Sequence, residues 1–273
     1  MPTQADKAEA FRKLHQQTQP FLMANAWDAG SARVLAALGY PALASSSGAS
    51  AAVLGRRDGQ VSRSEALAQL KAITSVTQLP VSADLERGFG DAPESVAETI
   101  RLAAEAGVVG GSIEDYSGDP VQPLYDFAQA VERVAAAAEA ARALPFPFTL
   151  TARCENYLRG RHDIEDTIRR LRAFSAAGAD VLFAPALPDL AAVRAVCGAV
   201  DKPVSFMAGI KGRSFSVAEL EAAGVRRISM AASFYRAALT GLVEAAKEVQ
   251  EKGTFSYLER SLSGPDFNAF FDA

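Results

Sequence analysis

Three apolar runs of this sequence end in carboxylate side chains, and that pattern is typical of a site that handles charge. The runs end at Asp84 and Glu86, at Glu114 and Asp115, and at Arg153 and Glu155. Because side chains alternate across a strand, Asp84 and Glu86 are predicted to share a face, as are Arg153 and Glu155. Two carboxylates on one face repel each other unless a cation or a proton lies between them. Ion pairing with arginines such as Arg87 is the alternative to a metal site, and Glu114 on the next strand favours the metal.

The positions of the histidines and cysteines limit which metal ion the site could bind. The only histidines, His15 and His162, and the only cysteines, Cys154 and Cys197, form no Cys/His cluster, so a zinc site of that type is not indicated. A hard ion held by oxygens, Mg²⁺ or Mn²⁺, fits the carboxylates. Both cysteines are predicted to be core thiols.

Arg153 places a cation at the end of one of these runs, beside Glu155. A guanidinium pointing into a site can hold a substrate carboxylate through two parallel hydrogen bonds. A buried pair between Arg153 and Glu155 that supports the fold is the other interpretation, and both can hold together.

Weaker signals surround the acids. An apolar run is followed by Ser46, Ser47 and Gly48. Backbone N–H groups beside a glycine can bind an anion. A polar turn without a binding role is the alternative. Asp58 is, by itself, an ordinary turn aspartate. Trp27 follows the first apolar run and forms either a wall of the site or a cap on the fold.

Eight strand-like runs alternate with helix-like segments and must position these residues. The runs lie near 20–26, 42–46, 80–85, 109–114, 147–153, 180–185, 203–208 and 227–231. Apolar residues between them recur at intervals of three and four, the helical period, and several helices end at a glycine. Eight such units predict an α/β fold, a (β/α)8 TIM barrel whose strand ends carry the site. An open doubly wound sheet is the competitor, but no G-x-G-x-x-G follows the first strand.

Composition excludes several classes of function. The net charge of −4 and the lack of a basic aromatic stripe give no support for binding nucleic acid. No apolar stretch is long enough to span a membrane, and the polar N-terminal segment lacks the apolar core of a signal peptide. Two cysteines suit a reducing compartment, so a cytoplasmic location is expected. No linker is evident: residues 1–273 are predicted to form one domain, with 244–273 a helical extension that packs on a partner subunit.

Taken as a set, these segments resemble the isocitrate lyase/phosphoenolpyruvate mutase superfamily over nearly the whole chain. The matching motifs are NAWDAGSAR (25–33), SSG (46–48), GRRD (55–58), DLERGFG (84–90), IED (113–115) and ARCE (152–155). DLERGFG resembles the D-A-D-T-G-Y-G signature of that superfamily, with Glu86 in place of its second, shorter acid.

The resemblance implies roles for these residues. Asp84 would be the direct magnesium ligand, with Glu86 beside it, and Asp58 and Glu114 would belong to the metal shell. The segment 46–48 would cradle the substrate, a small 2-oxo acid or its enolate, and Arg153 would bind its carboxylate. The resemblance also implies a barrel whose last helix swaps onto a partner in a homodimer or homotetramer.

The loop after IED departs from the superfamily pattern. Lyases of the superfamily carry K-K-C-G-H there, whereas the segment 116–122, YSGDPVQ, is short and has no cysteine, lysine or histidine. A lyase that acts on isocitrate would lack its proton carrier. The resemblance with this departure predicts a magnesium-dependent 2-oxo acid lyase, most simply an oxaloacetate-type decarboxylase. Phosphonopyruvate or phosphoenolpyruvate chemistry, as mutase or hydrolase, and a non-catalytic 2-oxo acid binder are the alternatives.

Overall fold

A computed structural model describes residues 2–272 and shows a closed barrel of eight parallel strands in which each strand pairs with its neighbours in chain order. The strands are β1 Phe21–Asn25, β2 Ala42–Ala44, β3 Val81–Asp84, β4 Gly110–Glu114, β5 Thr149–Arg153, β6 Val181–Phe183, β7 Val204–Met207 and β8 Arg227–Ser229. The predicted (β/α)8 barrel is confirmed, and each strand lies within its predicted run.

Helices surround the barrel and connect consecutive strands. They are α1 Gln4–Gln16, α2 Ala29–Ala37, α3 Ser47–Val53, α4 Arg63–Ser75, α5 Pro93–Glu105, α6 Phe127–Arg142, α7 Ile164–Ala176, α8 Leu190–Ala199, α9 Val217–Ala222, α10 Ser233–Lys252 and α11 Gly264–Ala269. A 3₁₀ turn, Ser256–Arg260, separates the last two. No helix within residues 2–272 has the length and apolarity needed to cross a membrane.

Alternation along the strands separates the packed layer from the site. Leu150, Ala152 and Cys154 point from β5 and its end into the main apolar core, whereas Arg153 points into the barrel mouth. Four helices end in glycines with positive φ, between 84° and 110°, which turn the chain into the next strand: Gly39, Gly107, Gly178 and Gly224. Since all strands are parallel, the carboxyl ends of all eight strands lie at one rim of the barrel.

The helix α10 and the segment after it lie largely on the outside of the barrel. None of the residues of α10 is buried, and Leu239, Leu242 and Val243 are exposed on it. Phe255 and Phe267 are also exposed beyond it. Residue 244, the predicted start of the extension, lies inside α10. Several exposed apolar side chains on one helix and the segment after it are typical of an interface between subunits.

We expect the purified protein to be a dimer or tetramer through this surface. Leu242→Glu should shift the mass measured by light scattering at micromolar concentration toward the monomer, because the new carboxylate would be buried in the interface. Leu38→Glu is the matched control, since Leu38 is an equally exposed leucine outside this segment. A monomeric wild type would contradict the prediction.

Candidate active site

Three charged side chains stand at the ends of adjacent strands on one rim of the barrel. Asp84 ends β3, Glu114 ends β4 and Arg153 ends β5, and Glu114 lies directly opposite Arg153 in the strand register. A cavity of about 850 Å³ opens above them and is lined by Glu114 and Arg153 together with Ser47, Asp58 and Glu86. Asp84 lines a smaller pocket beside this cavity, and Arg153 lines both. The rim therefore brings the predicted acids and the predicted arginine close together.

Asp84 is fixed by the turn after β2. Its Oδ2 accepts hydrogen bonds from the backbone N–H and the hydroxyl of Ser47, at 3.0 and 2.9 Å, and its own N–H donates to the Ser45 hydroxyl at 2.9 Å. These contacts leave Oδ1 at 3.9 Å from Nη1 of Arg153. Ser46 caps α3 by accepting from the N–H of Ala49. In this structure Ser46 and Ser47 position the site, and a direct contact of 46–48 with substrate stays a prediction.

Gly48 allows Asp58 to approach the same place. A Cβ at position 48 would lie 3.4 Å from the carboxyl carbon of Asp58, at the tight edge of ordinary contact. Burial, and then the charge of Asp84, raise the pKa of the Asp58 carboxyl above its usual value. The sequence alone marked Asp58 as an ordinary turn aspartate. The structure places it close enough to Asp84 for that charge to contribute to its raised pKa.

Glu86 reaches the cavity by a route that strand alternation does not describe. The strand β3 ends at Asp84, and Glu86 has a left-handed backbone with φ of 50°, so the predicted shared strand face is wrong for this pair. Glu86 nevertheless lines the cavity. Burial raises the pKa of its carboxyl to about 7, with further contributions from Asp84 and Asp58. Glu86 therefore lies close to Asp84 and Asp58, as predicted. It reaches them from a turn and not from the face of a strand.

A buried arginine holds the loop that carries Glu86. Arg133 of α6 donates to the backbone carbonyls of Arg87, Gly90 (2.8 Å) and Asp91. Such contacts fix a loop whose residues have unusual backbone conformations.

Glu114 and Arg153 belong to a network of opposite charges. Nη1 of Arg153 lies 3.4 Å from Oε2 of Glu114, and its Nε pairs with Oε1 of Glu155, which is fully buried. Burial raises the pKa of the Glu114 carboxyl well above its usual value, and Arg153 opposes that shift. The ion pair between Arg153 and Glu155, which was the alternative to substrate binding, is present. Arg153 also lines the cavity, so it can have both roles.

The donor set fits a hard cation. Within residues 2–272, no three acidic, histidine or cysteine side chains already converge on one point as in a closed metal site. Mg²⁺, however, keeps several waters and needs only one or two carboxylates from the protein. Asp84 presents Oδ1, whose contacts are long: the N–H of Glu86 at 3.4 Å and Nη1 of Arg153 at 3.9 Å. Asp58, Glu86 and Glu114 add oxygens and negative charge around it, which a cation would relieve.

Comparison with known protein families finds a match over most of the chain. Residues 11–250 match the family described as phosphoenolpyruvate phosphomutase. This chain belongs to that family.

The chain is also similar to individual proteins that are described as lyases or mutases. A crystal structure of a Burkholderia cenocepacia J2315 protein described as a lyase/mutase is 51% identical, with a TM-score of 0.97 over 99% of this chain and 98% of that one. The oxaloacetate decarboxylase of Paraburkholderia xenovorans is 34% identical over 86% of this chain and 79% of its own. The 2-methylisocitrate lyase of Escherichia coli is 28% identical over 90% and 85%. The predicted superfamily is confirmed.

The loop that distinguishes this family member is tied to itself. The N–H of Ser117 donates to the carbonyl of Pro123 at 2.9 Å, and its hydroxyl donates to the carbonyl of Gln122 at 2.6 Å. Asp119, the acid of this loop, accepts from the N–H of Val121 at 2.8 Å. The loop therefore bonds several of its polar groups locally, and Arg87 donates to the carbonyl of Ser117 from outside it.

Trp27 and the cysteines lie apart from the cavity. Trp27 packs edge-to-face on Tyr235, with ring centroids 5.4 Å apart, and is half-buried. Cys154 is buried in the core, as predicted, and burial raises its thiol pKa well above the usual value. Cys197 is half-buried, and burial raises its thiol pKa to about 11, so both thiols disfavour the reactive thiolate.

The sequence motifs did not identify Arg159 as a site residue, and they included Asp115 without its supporting role. Arg159 follows β5 and lines the cavity, with its Nε 2.9 Å from Oε2 of Glu155. Asp115 is buried, and its Oδ1 accepts from the N–H of Glu155 at 2.7 Å while its Oδ2 pairs with Arg170 at 3.0 Å. The spacing of four between Glu155 and Arg159 was the available signal for the first of these. Nothing local marks Arg170 as the partner of Asp115.

Proposed function

We propose that this protein is a magnesium-dependent lyase that acts on a small 2-oxo acid, most simply as an oxaloacetate-type decarboxylase. The observation that carries the proposal is the rim arrangement, in which Asp84, Glu114 and Arg153 end three adjacent strands. Glu114 and Arg153 line the large cavity, and Asp84 lines a smaller pocket that shares Arg153 with it. Catalytic residues of barrel enzymes come from strand ends of this kind.

The acids would hold the metal in distinct ways. Asp84 would contribute Oδ1 directly, because Ser47 already occupies Oδ2. Glu86 would stand beside it, while Asp58 and Glu114 would act through bound water. A bound Mg²⁺ or Mn²⁺ supplies Lewis acidity at the 2-oxo oxygen, where negative charge develops during the reaction.

Arg153 would bind the carboxylate next to the 2-oxo group. Glu155 orients its guanidinium through Nε. Within residues 2–272 neither Nη donates a hydrogen bond, although Nη1 lies 3.4 Å from Oε2 of Glu114. A planar fork held from behind is well suited to two parallel hydrogen bonds. Positioning the carboxylate in this way also fixes the 2-oxo group relative to Asp84.

The short loop favours decarboxylation over cleavage of isocitrate. Carbon dioxide leaves without a general acid, whereas a lyase step on an isocitrate needs a group that carries a proton. The segment 116–122 has no cysteine, lysine or histidine, and its Asp119 is engaged with the loop backbone. The relative named oxaloacetate decarboxylase supports the same choice.

Phosphonopyruvate or phosphoenolpyruvate chemistry is the second candidate. The description of the matching family, phosphoenolpyruvate phosphomutase, supports it, and it would use the same acids and Arg153. A family member that binds 2-oxo acids without turnover is the third possibility.

A product assay tests these alternatives. With magnesium, oxaloacetate should yield carbon dioxide and pyruvate above the rate with the metal alone, and EDTA should abolish the reaction until magnesium or manganese is restored. Isocitrate and 2-methylisocitrate should not be cleaved. Free phosphate or rearranged product from phosphonopyruvate, without decarboxylation of oxaloacetate, would favour the second candidate. Full activity in a verified metal-free sample would remove the central claim.

A further inference from the structure

Two arginines of the cavity share one buried carboxylate. Oε1 of Glu155 pairs with Nε of Arg153, and Oε2 of Glu155 pairs with Nε of Arg159 at 2.9 Å. Glu155 is fully buried. The same two guanidinium groups also approach opposite oxygens of Glu114, at 3.4 Å for Arg153 and 3.9 Å for Arg159. The two arginines are therefore held side by side from behind.

Arg159 keeps donors free toward the cavity. Its side chain is 29% exposed, against 13% for Arg153, and both line the same space. The guanidinium carbon lies 3.5 Å from the ring centroid of Tyr116, so one face of the group is covered. Within residues 2–272 only Nε of Arg159 donates a hydrogen bond, to Glu155, which leaves both Nη nitrogens without one.

The contacts of Arg159 leave it able to pair with an added anion. Glu155 is its close carboxylate partner, whereas Glu114 lies nearer to Arg153, at 3.4 Å, than to Arg159, at 3.9 Å. Glu114 is also the acid that would serve the metal shell. An arginine with two free Nη nitrogens, covered on one face by an aromatic ring, is suited to hold a carboxylate in its plane.

We infer that Arg159 forms a second anion-binding subsite, which takes the distal carboxylate of a 2-oxo diacid. This inference rests on the proposed function, in which Arg153 binds the carboxylate next to the 2-oxo group. It makes a diacid the preferred substrate class over a 2-oxo monoacid. The alternative is that Arg159 only stacks on Tyr116 to support the loop.

The chemistry of decarboxylation predicts how Arg159 would act. The bond from C3 to the distal carboxylate breaks, its electron pair moves into the bond between C2 and C3, and the 2-oxo oxygen takes the charge. Neutral carbon dioxide leaves, and a proton from water completes pyruvate. The distal group loses its charge as the transition state forms, so an arginine paired with it stabilises bound substrate more than the transition state. Removal of that arginine should therefore raise KM without lowering kcat.

Calorimetric binding with magnesium present separates these interpretations. The probes are oxalate, which has no distal group beyond the metal-binding pair, and 2-oxoglutarate, whose distal carboxylate is not released by this chemistry. Arg159→Gln should weaken binding of 2-oxoglutarate about 10- to 100-fold, the range for a charge-assisted hydrogen-bonded pair, and that of oxalate less than about threefold. Arg159→Lys should give a smaller loss, and it serves as the second variant if the Gln variant folds poorly.

The matched control is Arg161→Gln, because Arg161 lies two residues away on the same segment and pairs with Asp166 at 3.3 Å. It should leave both affinities unchanged. With oxaloacetate, Arg159→Gln should raise KM about tenfold and leave kcat unchanged or higher.

The possible failures have different meanings. Equal weakening of both probes, or no weakening of either, would overturn the subsite, the second result leaving Arg159 as a support for Tyr116. A wild type that binds oxalate but binds 2-oxoglutarate no better than pyruvate would overturn the subsite and leave the proposed function standing. A wild type that binds no 2-oxo acid or oxalate with magnesium would contradict the proposed function itself.

Discussion

Asp84→Ala should lower kcat/KM for 2-oxo acid turnover by about a thousandfold or more, because Lewis-acid stabilisation by a bound metal contributes several kcal/mol. Asp84 is the acid around which the others are arranged. Its charge contributes to the raised pKa values of Asp58 and Glu86, and it lies 3.9 Å from Arg153. Steady-state kinetics and calorimetric titration with Mg²⁺ should show the loss of turnover and of metal binding together.

Matched substitutions separate this effect from a general loss of acid. Asp119→Ala removes a carboxylate that faces its own loop, and it should leave metal affinity unchanged. Ser47→Ala removes one of the two hydrogen bonds on Oδ2 of Asp84 and should give an intermediate loss. Asp84→Ala with wild-type affinity for Mg²⁺ would show that the metal, if bound, is held elsewhere.

The sequence predicted those parts of the molecule that depend on local pattern. Each strand is an apolar run flanked by a glycine-capped helix, so the eight-fold alternation was visible without tertiary information. Parallel strands must meet at one rim, and this placed Asp84, Glu114 and Arg153 together from their positions at the strand ends. Cys154 was assigned to the core by alternation from Arg153, and the structure buries it.

Long-range contacts set the rest of the site and were not predictable. Glu86 adopts a left-handed conformation in a loop pinned by Arg133, which lies more than forty residues further along the chain. Alternation, a rule for extended strands, fails once β3 ends at Asp84. Asp115 meets Arg170 from α7, a contact across 55 residues that no local pattern encodes.

Asp115 illustrates how such contacts act on the site. It accepts the N–H of Glu155, and Glu155 in turn orients Arg153 and Arg159. The cavity arginines therefore depend on a buried acid that points away from the cavity. A motif match to IED identifies Glu114 as a site residue, but it does not reveal that the next residue supports the strand beside it.

Arg153→Lys should weaken magnesium-dependent binding of oxalate or 2-oxoglutarate about 10- to 100-fold, with a corresponding loss of kcat/KM. One ammonium cannot reproduce the planar fork, and it cannot serve Glu155, Glu114 and a substrate carboxylate at once. The free energy of unfolding should also fall, by about 1–3 kcal/mol, because a buried acceptor loses part of its partner. Calorimetric binding and denaturant unfolding measure the two effects separately.

The two measurements distinguish the roles that Arg153 can have. If Arg153 only supports the barrel through Glu155, the unfolding free energy of Arg153→Lys should fall while the dissociation constant of the folded protein stays at its wild-type value. If it binds substrate, the dissociation constant should rise at temperatures where the variant is fully folded. Both changes together are expected, because the same guanidinium pairs with buried Glu155 through Nε and faces the cavity through its outer nitrogens.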